Sequence, residues 1–207
     1  MMFADWEPHY TAILEYFGFE READEAAARL LAELAGDRDE RGFLEALIRG
    51  RSVTVCGNAP CLPEELDLIE GVVLAADAAA EVLADRGIQP DAVFTDLDGA
   101  TDIFIDLSGR GTVMVVHAHG DNMPLLRHWV PLLPGPLVAT TQAAPLPHVH
   151  NFGGFTDGDR AVFAADALGA ASIRIVGFDL ADRNVDPVKR GKLFWAGELL
   201  RLIGHDL

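Results

Sequence analysis

At 207 residues, half of them apolar, the chain is long enough for one α/β domain with its own core and too apolar to be intrinsically disordered. Its formal net charge of -17, from 33 acidic against 16 basic residues, opposes non-specific nucleic-acid binding, which needs Lys and Arg to displace counterions, and docking on an anionic membrane. Lys189 and Lys192 are the only lysines, and so acidic, lysine-poor and alanine-rich a composition points to adaptation to high salt, where self-repulsion is screened.

The first fifty residues read as helical. Tyr10, Ile13, Leu14 and Phe17 recur at helical spacing and Gly18 stops the run. Leu30, Leu31 and Leu34 follow in the Ala/Glu-rich stretch that begins at Arg21 and stops at Gly36, and Phe43, Leu44, Leu47 and Ile48 make a third apolar face. Residues 1–50 are therefore expected to form a helical layer on a catalytic domain of residues 51–207, and are also a candidate dimerisation element. The N-terminus, MMFADWEPHY, has no basic start and no apolar signal core, and no run is long enough to span a bilayer. Cys56 and Cys61 have the spacing of neither a redox pair nor a zinc knuckle and read as reduced thiols. These features together predict a cytoplasmic protein.

From Arg51 the pattern changes. SVTVC, GVVLAA, AVFTD, TVMVVHA, LVATT and SIRIVGF are short apolar runs, most of them followed by an amphipathic stretch. That alternation predicts a Rossmann-like α/β fold, a mostly parallel sheet with helices on both faces. PLPHVHNFGG is the longest irregular stretch, and long loops inside compact domains are more often functional than accidental.

Open parallel sheets bind ligands beyond the carboxyl ends of their strands. Here those ends carry Gly57-Asn58, Asp77, Asp96-Leu97-Asp98, His117 through Asn122, Thr140-Thr141-Gln142 and Gly177-Phe178-Asp179. Acids, amides and glycines thus gather on one edge. Asp96 and Asp98 leave a strand end close together, and unpaired they would repel. A magnesium ion shared with substrate phosphates resolves that repulsion, with Asp121 after the next strand to complete a cation site of Asp96, Asp98 and Asp121. A lone Asp there would more often cap a turn.

Gly57-Asn58, between a strand and a helix, suits an anion but is a weak motif that a tight turn explains almost as well. NFGGFTDGDR is denser. Its glycines permit close backbone approach, Thr156 or Asp157 can cap the following helix, and Phe152 and Phe155 offer flat faces. His117-x-His119 and His148-x-His150 have transition-metal spacing, but their Asp-rich setting favours magnesium over zinc. Lys189 and Lys192 share a helix face and are candidates for triphosphate contact, against a solvated face as the plainer reading.

The ordered pieces GNAPCL, AADAAA, TDLDG, HAHGDN, TTQ, NFGGFTDGDRA and GFDLAD, with the lysine-bearing helix after them, resemble the archaeal-type 6-hydroxymethyl-7,8-dihydropterin pyrophosphokinase family over residues 53–200. HAHGDN and NFGGFTDGDRA carry the specificity. Thiamine pyrophosphokinases are similar more distantly, through an acidic D-x-D. The resemblance implies Mg²⁺-dependent transfer of diphosphate from ATP to the dihydropterin hydroxymethyl group, with release of AMP, in folate or methanopterin synthesis. It implies an acidic site at Asp77, Asp96, Asp98 and Asp121. The turn at Gly57-Asn58 departs from the Gly-Pro-Ser usual in relatives. By residue type, Lys189, Lys192 and Arg160 suit the phosphates. Asp77 or Asp157, the amides Asn122, Gln142 and Asn151, and a stacking Phe152 suit the pterin.

VFTDLDGA also looks like the nucleophile strand of a haloacid-dehalogenase-type phosphatase, but two strands precede it and the order of later motifs fails. A glycosyltransferase-like relative is opposed by the HAHGDN and NFGGFTDGDRA matches, and a non-catalytic nucleotide-binding module by the retained acids.

Overall fold

The computed structural model describes residues 1–205, so the last two residues of the expected 51–207 domain lie outside the described residues. Three helices open the chain, α1 (Phe3–Phe17), α2 (Arg21–Ala35) and α3 (Arg41–Ile48). Gly18 ends α1 at φ 70°, in the left-handed region that a side chain disfavours. The chain then alternates as β1 (Ser52–Cys56), α4 (Leu62–Glu65), β2 (Val72–Ala76), α5 (Ala79–Asp85), β3 (Ala92–Thr95), α6 (Asp102–Gly109), β4 (Val113–Ala118) and α7 (Met123–Trp129). It continues through β5 (Leu137–Thr141), β6 (Val149–His150), α8 (Asp157–Ala167) and β7 (Ser172–Val176) to the long α9 (Pro187–Leu202). Every predicted apolar run forms a strand. The irregular PLPHVHNFGG stretch differs from expectation in one respect: Val149 and His150 pair in parallel with Ala139 and Thr140 of β5. Two residues are too few to show an alternating pattern.

The seven strands lie in the order β6-β5-β4-β3-β2-β1-β7, with parallel pairing throughout. The chain steps outward from β1 to β6, then α8 carries it back so that β7 pairs on the other side of β1. The order therefore reverses between β1 and β7, the switch point where open sheets open a crevice. Val53 and Val55 point into the core beneath α3 and α8, while Cys56, Val73 and Ala75 join the core beneath α2, α5, α6 and α7. Both faces are covered, which is why the strands read as continuous apolar runs.

The N-terminal helices divide between these layers. α2 buries Ala27, Ala28, Leu31 and Ala35 on one face of the sheet, and α3 buries Leu44 and Ile48 on the other. α1 packs Trp6, Tyr10 and Ile13 against Phe155, Phe163 and Leu199 near the carboxyl edge. The Trp6 indole N–H donates to the Gln142 carbonyl at 2.8 Å across 136 residues of sequence. Among the described residues no helix is long and apolar enough to cross a membrane.

Leu31 is fully buried and Leu68 is 49% exposed. We expect Leu31→Ala to cost about 2–5 kcal/mol in urea unfolding, and Leu68→Ala to stay within about 0.5 kcal/mol of wild type.

Candidate active site

A cavity of about 770 Å³ opens along the carboxyl edge of the sheet. Asp77, Asp96, Asp98, Asp121, Gly57, Asn58 and Gln142 from the strand ends line it, together with Thr156, Asp157, Arg160, Lys189 and Lys192 from the starts of two helices. Asn122, Asn151 and Phe152 do not.

The acids that converge are Asp77, Asp96 and Asp157, each offering a carboxylate oxygen, with all three oxygens within 4.8 Å of one another. The structure thus brings Asp157 to the cluster in place of Asp98 and Asp121. Asp121 is turned out, with a side chain 84% exposed and paired to the His119 ring. Asp98 sits on the tight turn that follows β3, its N–H donating to Asp96 Oδ1 at 3.1 Å. An all-oxygen donor set of this kind fits a hard divalent cation and not a soft one.

Local backbone chemistry delivers each of these side chains. Asp77 adopts φ 44° at the end of β2, and Leu97 adopts φ 72° between the two acids of the TDLDG turn. Such conformations cost about 1–3 kcal/mol each and persist where the surroundings enforce them. Here the Thr95 hydroxyl donates to Asp77 Oδ1 and accepts from the Leu97 N–H. Gly99 leaves room beside them: a Cβ there would lie 2.0 Å from Asp77 Oδ2 and would displace that carboxylate.

In NFGGFTDGDR, Gly153 and Gly154 adopt φ 89° and 87°, and a Cβ on either would strike Phe163 or the Arg160 backbone. Asp159 accepts the N–H groups of Phe155 and Thr156 at 2.6 and 2.7 Å, starting α8 at Asp157. Asp157 then meets Arg160, one turn on, at 3.1 Å. Arg160 also reaches Gln142 Oε1 at 3.3 Å, and its buried Nε has no partner among the described residues.

The motif residues outside the cavity have supporting roles. The Asn122 amide donates to the carbonyls of Asp96 and His117 and accepts from the His119 N–H, pinning the HAHGDN turn against β3. The Asn151 amide donates to the carbonyls of Gln142 and Ala143. Phe152 packs against the α3/α8 core and stacks on His150. The aromatic that enters the cavity wall from this motif is Phe155. His117 is buried against the Thr140 hydroxyl, His119 contacts Asp96 Oδ2 at 3.1 Å, and His148 and His150 both hold Asp39.

Sequence reasoning missed Asp24. It is 3% exposed and accepts from the Tyr10 hydroxyl, the Gln142 amide and the Gly120 N–H, each at 2.8 Å. It thereby ties α1 and α2 to the loop after β4 and the end of β5. The signal was present in the pattern: Asp24 stands in helical register with Ala27, Ala28, Leu31 and Ala35, an acid on an otherwise apolar stripe.

Burial raises Asp77 to about 6, with the charges of Asp98 and Asp96 adding to it against the Thr95 hydrogen bond. Burial, then the Asp96 charge, pushes Asp157 well above the usual carboxylate range. Burial and Asp96 also raise Asp98. Burial opposes ionisation of Asp96 too, but the His119 hydrogen bond and the Arg160 charge outweigh it and hold Asp96 below the usual range. One firmly ionised carboxylate, Asp96, is thus flanked by three that take up protons more readily, Asp77, Asp98 and Asp157.

Fold and site together define an α/β protein whose switch-point cleft carries an acidic, cation-competent centre flanked by lysine and arginine. Residues 30–185 match the family described as 6-hydroxymethylpterin diphosphokinase MptE-like, and the chain belongs to that family. It is 38% identical to the 6-hydroxymethyl-7,8-dihydropterin pyrophosphokinase of Methanothermobacter thermautotrophicus over 94% of this chain and 92% of that protein. It is 44% identical to the protein of the same name from Pyrococcus furiosus, over 87% of this chain and 79% of that one. Among solved structures, a MAf glycosyltransferase from Magnetospirillum magneticum AMB-1 matches 78% of this chain and 29% of its own length at TM-score 0.46 and 17% identity, too slight a likeness to bear on function.

Because Asp77 and Asp157 hold protons in the acid range, a cation must displace them. Affinity for a divalent cation should therefore rise with pH through about 6 and level off above the range in which they titrate. Calorimetry with Mg²⁺ from pH 5 to 8 checks this, with proton release visible in buffers of different ionisation enthalpy; a flat profile would place the cation elsewhere.

Proposed function

We propose that the protein transfers the terminal diphosphate of ATP to the hydroxymethyl group of 6-hydroxymethyl-7,8-dihydropterin, giving the pterin diphosphate and AMP for folate or methanopterin synthesis. The observation that carries this reading is the carboxylate cluster of Asp77, Asp96 and Asp157 inside the cleft of a chain belonging to the diphosphokinase family.

A weak alcohol attacking phosphorus needs alignment and charge neutralisation more than covalent help. Asp77, Asp96 and Asp157 would hold magnesium, which neutralises charge on the phosphates as the transfer proceeds. His119, between Asp96 and Asp121, orients Asp96, so Asp121 acts through it. Lys189 and Lys192 project from the first turns of α9 into the cavity, and with Arg160 they suit the transferred and leaving phosphates. The oxygen of the hydroxymethyl group bonds to the β-phosphorus, the bond from that phosphorus to the oxygen bridging it to the α-phosphorus breaks, and AMP leaves with that oxygen and the electron pair. The hydroxyl proton goes to Asp98, a cavity carboxylate outside the cation cluster whose proton affinity burial and Asp96 raise.

AMP release from ATP and Mg²⁺, measured in high-salt buffer with and without the dihydropterin, tests this directly. We expect pterin-dependent AMP, lost in Asp96→Ala. Asp98→Asn should lower kcat about 10²-fold or more with Mg²⁺ affinity little changed, whereas Asp157→Asn should weaken Mg²⁺ binding itself. Phosphate release from simple monoesters, or nucleotide binding without turnover, would overturn the reading.

A further inference from the structure

The cavity has two chemically different ends, and the strand order sets what lies between them. Gln142 and Gly120 follow β5 and β4, the carboxylates Asp77 and Asp96 follow β2 and β3, and Gly57 and Gly177 follow β1 and β7. At about 4.8 Å between neighbouring strands, the span from β5 to β1 is about 19 Å, with the cation cluster near its middle.

The β1/β7 end is built from close-packed backbone. A Cβ on Gly57 would lie 2.5 Å from the Gly177 carbonyl, and one on Gly158 would lie 2.6 Å from the Phe178 ring. Its acids, Asp179 and Asp182, cap their own loop by accepting the N–H groups of Ala181 and Asn184. This end suits the nucleotide.

The opposite end is the corner between α1 and α2. Phe19, 43% exposed, lines the cavity there and stacks on Phe17 with ring centroids 5.3 Å apart and planes 11° from parallel. Phe17 in turn rests on Phe155 at 5.2 Å. This column is anchored in the core at one end and ends in a half-open aromatic ring. Glu20 follows directly, exposed and lining the same cavity; although it stands at the start of α2, its carboxylate caps nothing there. Neighbouring Asp24 is buried and already accepts from three donors, so Glu20 is the exposed carboxylate of this corner left to bind a ligand.

We infer that the α1–α2 corner is the acceptor subsite: the flat heterocycle stacks on Phe19, and Glu20 receives two N–H groups from its 2-amino-pyrimidinone edge. This rests on the proposed pterin reading and names its recognition residues. The chemistry discriminates between the two substrates. A carboxylate accepts the paired N–H groups of a 2-amino-pyrimidinone edge in bidentate fashion, whereas the adenine edge presents one donor beside an acceptor. Phe152, the stacking candidate in the sequence, lies outside the cavity.

Steady-state kinetics on Glu20→Gln and Phe19→Ala test the assignment, with melting temperature as a folding control. Among the described residues the Glu20 side chain makes no hydrogen bond or ion pair, so Glu20→Gln should melt like wild type. Its KM for the dihydropterin should rise about tenfold or more, with the KM for ATP within about twofold of wild type. Phe19→Ala should raise the pterin KM about tenfold, again with little change for ATP. Wild-type turnover with an unchanged pterin KM in Glu20→Gln, or a rise in the ATP KM instead, overturns the inference and leaves the proposed function standing. A wild-type protein that releases no pterin-dependent AMP removes the reading on which the inference rests.

Discussion

Three carboxylates facing one another at the edge of a buried sheet repel, and the rest of the site is organised around that repulsion. Asp77 and Asp96 come from neighbouring strand ends and Asp157 from the first residue of the crossover helix, so the fold itself brings them together. Burial makes the problem worse, because a charge removed from water loses solvation. The protein answers in two ways. His119 and Arg160 support ionised Asp96, while burial and the neighbouring charges raise Asp77 and Asp157 above the usual carboxylate range.

That electrostatic centre depends on segments far apart in the chain. Arg160 is held between Asp157 and Gln142, Gln142 donates to Asp24, and Asp24 also holds the Gly120 N–H next to His119. Tyr10 and Trp6 of α1 fasten the same region. The N-terminal helices are thus not an accessory laid on a finished site. They close one end of the cavity and hold the loop that orients Asp96. In such a network the loss of one partner leaves another polar group buried and unpaired, which is costly.

How much of this was legible follows from the range of the interactions involved. The strands β1 to β5 and β7 were readable because a doubly covered parallel sheet writes itself as short apolar runs. β6 was not, since Val149 and His150 are strand only through their pairing with β5. Strand-end chemistry located the cavity and most of its lining, from Gly57 to Lys192. It could not choose among acids on the same edge. Asp121 and Asp157 look alike in sequence, and only the turn at Gly153-Gly154 and the start of α8 direct Asp157 inward while Asp121 stays in solvent. For the same reason the sequence pointed to Phe152 as the stacking ring, whereas Phe155 is the one that lines the cavity. Asp24 was read only as part of a helix, because its partners Gly120 and Gln142 lie about a hundred residues away, and Phe19 and Glu20 fell in the junction between two helical runs.

The central claim is that a divalent cation is held by Asp77, Asp96 and Asp157, and diffraction from crystals grown with Mn²⁺ and a non-hydrolysable ATP analogue tests it most directly. The account predicts an anomalous peak bounded by those three carboxylates, with the analogue's phosphates completing its coordination. A peak held by Asp98 and Asp121, with Asp157 still paired only to Arg160, would contradict it.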